Sequence, residues 1–112
     1  MPTLDLPDSY LQILKPILKA YAPDVEAWAY GSRVSGRAHE TSDLDLVLRN
    51  TADLSVPQNK LVELRAAISE SALPILVDVV DWARIPQAFR EEIERGYVVL
   101  QRSDLAGVKR EA

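Results

Sequence analysis

One stretch decides the fold: GSRVSGRAHETSDLDLVL, residues 31–48. It is typical of a turn of small residues, a polar loop and a strand that opens with two carboxylates. Side chains alternate between the faces of a strand, so Asp43 and Asp45 share one face, with Cα atoms roughly 6.6 Å apart. Carboxylate oxygens are ligands that Mg²⁺ accepts, together with water and substrate phosphates. The stretch therefore predicts metal-assisted phosphate chemistry.

Gly31 and Ser32 extend this prediction. They follow the apolar run AWAY, residues 27–30, which is typical of a strand that ends at the glycine. Glycine permits a tight turn and a close approach to a ligand. A helical turn that begins near Ser32 would direct free N–H groups and a hydroxyl outward, as an anion site. The alternative is a plain strand–turn–strand connection with solvated aspartates. Gly31-Ser32 together with Asp43-x-Asp45 is a more specific pattern than either pair alone, and it favours a phosphate site.

Composition sets limits on the fold and on the partners. The 112 residues, 47% hydrophobic and 27% charged, predict a single domain over 1–112, with a core of about 8–101 and a loose tail at 102–112. The net charge of −4 argues against direct binding to nucleic acid, which needs clustered Lys and Arg. The absence of cysteine excludes disulfides and zinc–thiolate sites. No membrane span or signal peptide is recognisable, so we expect a cytoplasmic protein.

Periodicity and turn signals predict an α/β (α+β) domain with helices packed on a small sheet. Helices are expected to begin at Asp8, Pro57 and Pro86, and core strands to span 25–30, 44–48 and 75–81. Gly96 is expected to end the last helix as a left-handed cap. Residues 97–100 form either a short strand or an extended packing segment.

Asp78 lies within the apolar run ILVDVVD, residues 75–81, which is typical of a strand buried on both faces. A carboxylate there is costly unless it is paired, hydrogen-bonded or bound to metal. The strand alone allows either a metal ligand or a partner for a buried arginine. The Asp43/Asp45 pair favours the ligand. Asp81, at the end of the strand, is expected to cap the next segment.

Two arginines lie in the motif loop. Arg33 and Arg37 could each contact a phosphate, or be surface or Asp-paired residues. We assign Arg33 to the nucleotide-binding set with Gly31 and Ser32. His39, the single histidine, is interpreted as a solvated loop residue, because no Ser or Cys partner motif accompanies it.

The order Gly31-Ser32, ten residues, Asp43-x-Asp45 resembles the signature of the DNA polymerase β-type nucleotidyltransferase superfamily. The short Gly-Ser-Arg-x-x-Gly form resembles its minimal nucleotidyltransferase (MNT) branch, and Asp78 matches the third carboxylate. The resemblance implies a mixed sheet of core order 1-2-3, with one antiparallel and one parallel neighbour. It also implies an enzyme in which the three aspartates are catalytic and hold two Mg²⁺ ions, with Mn²⁺ as a substitute.

The resemblance further implies transfer of AMP from ATP to a hydroxyl. Members of the MNT branch are paired with a separate small helical protein of the HEPN type, as a two-component transferase or as antitoxin and toxin. The expected acceptor is therefore a tyrosine of a HEPN-type partner. Two alternatives stay open: a non-catalytic antitoxin or scaffold that acts by contact, and a transferase that modifies small molecules such as aminoglycosides.

Overall fold

The computed structural model describes residues 2–103. Within these residues, four helices, one 3₁₀ turn and four strands follow one another: α1 (Asp8–Tyr21), β1 (Glu26–Tyr30), α2 (Ser32–Ser35), β2 (Leu44–Arg49), α3 (Leu61–Ser69), β3 (Val77–Asp81), the 3₁₀ turn (Trp82–Arg84), α4 (Gln87–Glu94) and β4 (Val98–Gln101). The mixed α/β class predicted from the sequence is confirmed. In the described part of the chain, no helix combines the length and apolar character needed to cross a membrane.

The strands form one sheet of order β3-β2-β1-β4. β1 pairs antiparallel with β2, and β2 pairs parallel with β3, through a crossover that contains α3. The predicted core order 1-2-3, with one antiparallel and one parallel neighbour, is therefore present. β4 adds a fourth strand antiparallel to β1, which resolves the open interpretation of residues 97–100 as a strand.

Each face of the sheet carries its own apolar cluster. On one face, small and aliphatic side chains of β1 and β2 pack with α1 and α3, and their members include Ala27, Ala29, Leu44, Leu46, Leu14, Leu18 and Leu64. On the other face, an aromatic cluster packs beneath the 3₁₀ turn and α4, with Trp28, Tyr30, Val47, Trp82 and Ile93. This division follows from the alternation of side chains along each strand. The aspartates Asp45 and Asp78 belong, by register, to the aromatic face.

The prediction for the third strand needs correction. β3 lies at the edge of the sheet, and it is not buried on both faces, because Asp78 is exposed. Its outer edge is partly covered by the Arg65 side chain, whose Nη2 donates a hydrogen bond of 2.6 Å to the Val79 carbonyl. Asp81 is buried and accepts a hydrogen bond from the Ala83 N–H, which confirms its predicted capping role.

Two helix boundaries also differ from the prediction. α3 begins at Leu61 instead of Pro57, with Lys60 as its N-cap. In the segment before it, the Gln58 N–H donates a hydrogen bond to the Asp81 carboxylate at 2.8 Å. α4 ends without a left-handed glycine: its C-cap is Arg95 in the right-handed region, and Gly96 has no positive φ.

The two ends of the described chain are anchored. Leu4 and Leu6 pack against the aliphatic cluster, and Ser103 is buried with its hydroxyl donating to the Asp24 carbonyl at 2.9 Å. Most of the expected loose tail, residues 104–112, lies outside the described residues.

Candidate active site

A row of three side chains crosses the sheet on its aromatic face. Tyr30 is the register partner of Asp45 in the antiparallel pair, and Asp45 is the register partner of Asp78 in the parallel pair. Partners in register project to the same face with their Cβ atoms close together. Asp43 precedes β2 by one residue and is exposed. The structure thus brings Asp45 and Asp78 together from strands that are distant in sequence.

The electrostatics of this row are those of a negative cluster. The pKa of Asp45 is raised, first by burial and then by the negative charges of Asp78 and Asp43. The pKa of Tyr30 is strongly raised, chiefly by burial and further by Asp45, Asp78 and Glu92. Ionised carboxylates therefore repel one another here, and a cation would relieve that repulsion.

The donor set fits a hard cation in chemistry but does not form a finished coordination shell. Asp43, Asp45 and Asp78 offer only carboxylate oxygens, the ligand type that Mg²⁺ prefers. Among residues 2–103, however, no three His, Cys, Asp or Glu side chains are placed so that they could hold a metal ion by themselves. Further ligands would have to come from elsewhere, and Mg²⁺ commonly takes them from water and substrate phosphates.

Gly31 joins the small-residue turn to the carboxylates. Its φ of +80° lies in the region that L-residues rarely adopt. A Cβ at this position would collide with Oδ2 of Asp45 and lie 3.3 Å from its Cγ. The turn then enters α2, where the N–H groups of Val34 and Ser35 donate to the Gly31 carbonyl at 3.0 Å. The glycine thus allows the turn to lie directly against Asp45.

A cleft of about 620 Å³ opens beside this turn. Tyr30, Gly31 and Ser32 line it from the β1 side. Facing residues come from α4 and the turn after it, namely Phe89, Glu92 and Arg95. Its volume is within the range of sites that take small molecules, about 300–1,000 Å³. A ligand in this cleft would lie against Gly31 and Ser32, next to the row formed by Tyr30, Asp45 and Asp78.

Arg33, which follows Gly31 and Ser32 in the motif, lies inside the protein and outside the cleft. Its side chain is buried, with 4% of the residue exposed, and its guanidinium donates hydrogen bonds to main-chain carbonyls of the N-terminal segment and the motif loop. It is not among the residues that line the cleft. The guanidinium makes four hydrogen bonds inside the protein, and the assignment of Arg33 to the nucleotide-binding set stays a prediction. The second loop arginine, Arg37, does line the cleft.

The α4 side of the cleft was not predicted. Phe89, Glu92 and Arg95 lie more than forty positions after the motif in the sequence and carry no motif of their own. Their pattern indicates only an amphipathic helix. Tyr30, by contrast, could have been named as a neighbour of the site, because it is the last strand residue before Gly31. Its place opposite Asp45 depends on the register of β1 and β2, which the sequence does not give.

Comparison with known proteins gives a consistent result. Residues 12–105 match the family model described as "Polymerase beta, Nucleotidyltransferase". A Haemophilus influenzae protein named "Probable protein adenylyltransferase MntA" is 43% identical over 101 residues, which cover 90% of this chain and 87% of the relative. A solved structure described as "Crystal structure of the toxin-antitoxin with AMP-PNP" superposes with a TM-score of 0.66 over 90% of this chain and 77% of that chain. At 20% identity, this last similarity shows a shared fold.

Proposed function

The chain belongs to the polymerase β nucleotidyltransferase family, and from that membership we propose that it transfers AMP from ATP to a hydroxyl group of a partner protein. One observation carries the proposal: the Gly31 turn lies directly against Asp45, so the turn for which we propose phosphate binding shares one site with the carboxylate pair. The similarity to a relative named as a protein adenylyltransferase favours a protein acceptor.

In the proposed reaction, Gly31 and Ser32 hold the β- and γ-phosphates of ATP, and the rest of the nucleotide lies in the adjoining cleft. The acceptor oxygen attacks the α-phosphorus, and the bond from that phosphorus to the oxygen leading to the β-phosphate breaks. Pyrophosphate leaves, and the acceptor keeps the AMP. The hydroxyl proton passes to a carboxylate, for which we propose Asp78, because it is exposed at the edge strand and reachable by a second protein.

We further propose that Asp43, Asp45 and Asp78 hold Mg²⁺ during the reaction, with two ions as in other phosphoryl-transfer sites of this type. When bound, Mg²⁺ would neutralise charge on the phosphates and favour the ionised acceptor. The raised pKa of Asp45 supports this role, because a cation would stabilise the ionised form that its negative neighbours disfavour.

The proposed acceptor is a tyrosine of a HEPN-type partner, and the pair would act in the cytoplasm as antitoxin and toxin. The relative's name supports a protein substrate, and the fold is shared with a chain from a toxin–antitoxin structure. The net charge of −4 makes an RNA or DNA acceptor a poor alternative.

The test uses the chain together with the protein that co-purifies with it from its native cells. After incubation with ATP and Mg²⁺, the mass of the partner should rise by one or more AMP units, and tandem spectra should place the modification on tyrosine. Ser32→Ala and Asp45→Asn should prevent the mass change. Asp24→Asn is a matched control, because Asp24 is an exposed aspartate outside the site.

Other outcomes identify the alternatives. A partner that stays unmodified but is still neutralised by Asp45→Asn protein would favour action by contact alone. AMP transfer to an aminoglycoside by the chain without a partner would favour a small-molecule transferase. Either result would overturn the proposal of a protein acceptor.

A further inference from the structure

The Arg33 guanidinium ties two separate segments together. Nη1 donates to the Asp5 carbonyl at 2.9 Å, in the N-terminal segment. Nε donates to the Ser42 carbonyl at 3.0 Å, and Nη2 donates to the carbonyls of Glu40 and His39 at 3.1 and 3.4 Å, all in the motif loop. A buried cation is costly unless its donors are satisfied, and here main-chain carbonyls satisfy them.

The bonds around this guanidinium close a compact loop. The Asp5 N–H donates back to the Arg33 carbonyl at 2.7 Å, so these two residues are linked in both directions. Within the loop, the Ser42 N–H donates to the His39 carbonyl at 3.0 Å, and the His39 N–H donates to the Ser42 hydroxyl at 2.9 Å. His39, Glu40 and Thr41 are themselves exposed. The buried arginine is therefore the main internal support of an otherwise exposed loop.

This support ends at the first carboxylate of the motif. The Ser42 carbonyl belongs to the peptide group that joins Ser42 to Asp43, so the bond from Arg33 Nε holds the backbone immediately before Asp43. On the far side, the Leu44 N–H donates to the Leu76 carbonyl at 3.0 Å. Asp43 thus lies between two fixed peptide groups, although its own side chain is exposed.

We propose that Arg33 is a positioning residue that places Asp43 for the transfer reaction, and that it does not bind the nucleotide. This inference rests on the proposed function. Lysine cannot replace Arg33, because a single ammonium group cannot direct donors to carbonyls of two segments in the way a planar guanidinium does. A displacement of Asp43 by about 1 Å is enough to reduce turnover by about 10- to 100-fold.

The first experiment compares Arg33→Lys with the wild type in the partner-modification reaction. Arg90→Lys is the matched control, because Arg90 Nε also donates to a main-chain carbonyl, that of Trp82 at 2.8 Å, away from the motif loop. We expect Arg33→Lys to lower kcat by at least about tenfold with KM for ATP changed by less than about twofold, and Arg90→Lys to change neither.

Hydrogen–deuterium exchange of the same proteins without ATP gives a readout that does not depend on activity. Arg33→Lys should speed exchange in the peptide covering 36–43 and leave β1 unchanged, whereas Arg90→Lys should leave both unchanged. A raised KM for ATP, with unchanged kcat and unchanged loop exchange, would overturn the proposal and make Arg33 a phosphate ligand.

Solvent exchange of the Arg33 side chain in the wild-type chain tests the proposal even if Arg33→Lys does not fold. The Arg33 Nε–H, held by the Ser42 carbonyl, should exchange slowly with solvent in NMR spectra recorded without nucleotide. Protection that develops only after ATP is added would contradict the inference. If the wild type transfers no AMP at all, the proposed function fails, while the exchange and NMR experiments still report on Arg33 itself.

Discussion

Position 31 requires glycine for two separate reasons. Its φ of +80° is unfavourable for residues with a Cβ, and a Cβ there would also collide with the Asp45 carboxylate. Gly36 provides the natural comparison, because its φ is +82° but nothing lies within 4 Å of a Cβ built on it. The two glycines share a positive φ, but a ψ of −150° places Gly31 in a region that essentially only glycine adopts, whereas Gly36, with a ψ of 12°, is in the left-handed helical region. Only Gly31 also has the steric requirement.

Substitution by alanine at the two glycines should separate these effects. Gly36→Ala should lower the free energy of unfolding by roughly 1–2 kcal/mol, the usual cost of a left-handed backbone for an L-residue. Gly31→Ala should lower it by more, because its backbone conformation is one that essentially only glycine adopts and its Cβ would collide with Asp45. Gly31→Ala should also displace the Asp45 side chain and reduce AMP transfer at least about tenfold. Urea denaturation and transfer assays on both variants provide the check. Equal activity in the two variants would show that contact with Asp45 is unimportant.

The incomplete carboxylate set predicts how metal and nucleotide bind. Because residues 2–103 contain no three ligands placed to hold an ion alone, Mg²⁺ should bind weakly without ATP and more tightly with it, as phosphate oxygens supply missing ligands. Calorimetry on the wild type, on the double variant Asp43→Asn/Asp45→Asn and on Asp24→Asn tests this. The double variant should lose the coupling between Mg²⁺ and ATP. Identical binding in all three proteins would remove these aspartates from the metal site.

At the scale of elements, β3 carries two aspartates with opposite roles. Asp78 is exposed on the edge strand and takes part in no ion pair within the described part of the chain. Asp81, three residues later, is 3% exposed. Its carboxylate accepts hydrogen bonds from the N–H groups of Gln58 and Ala83, and it contacts the Arg84 guanidinium at 3.4 Å. β3 therefore carries one carboxylate that is available for the reaction, Asp78, and one that stabilises the fold, Asp81.

Replacing each aspartate by asparagine should affect AMP transfer at Asp78 and stability at Asp81. Asp78→Asn should change the free energy of unfolding by no more than about 0.5 kcal/mol, because the side chain is exposed, yet abolish AMP transfer. Asp81→Asn should destabilise the chain by about 1–3 kcal/mol, because a buried charged acceptor is lost, yet leave transfer per folded molecule near normal. Melting curves on metal-free protein and transfer assays with ATP and Mg²⁺ distinguish them. A large loss of stability in Asp78→Asn would point to a structural role.

The three core strands were predictable from alternation and apolar runs, and their order 1-2-3, which places β3 at an edge, was implied only by the family resemblance. The exposure of Asp78 was not predictable, since an apolar run is typical both of a strand buried on both faces and of an edge strand with one open position. The start of α3 at Leu61 was missed, because Pro57 is well suited to the first turn of a helix and no local pattern moves that start to Leu61.

The residues of the candidate site also divide into those that the sequence could predict and those that it could not. Gly31, Ser32, Asp43 and Asp45 lie in one continuous motif and could be assigned as candidates from the sequence. Arg33 could not be placed, because its position depends on carbonyls contributed by Asp5 and by the motif loop. An arginine beside a phosphate-binding turn suggests a phosphate ligand until its hydrogen-bond partners are known. The α4 side of the cleft depends on how that helix packs over Tyr30.

At the scale of the whole molecule, the two faces of the sheet have different tasks. The aliphatic face is covered by α1 and α3 and contains most of the buried side chains. The aromatic face is covered by α4 and carries Tyr30, Asp45 and Asp78 at one end, where the cleft opens. The core on one face thus supports the strand ends that present the carboxylates on the other. This leaves the site accessible from outside, as a protein acceptor requires.

The most direct test of AMP transfer to a partner protein asks which phosphate of ATP becomes attached to that partner. The chain and its co-purified partner are incubated with Mg²⁺ and ATP labelled either at the α- or at the γ-phosphate. AMP transfer predicts that the partner acquires the α-label and none of the γ-label, and that Asp45→Asn removes the signal while Asp24→Asn preserves it. Labelling from the γ-phosphate, or no labelling of a partner that is nevertheless bound and neutralised, would contradict the account.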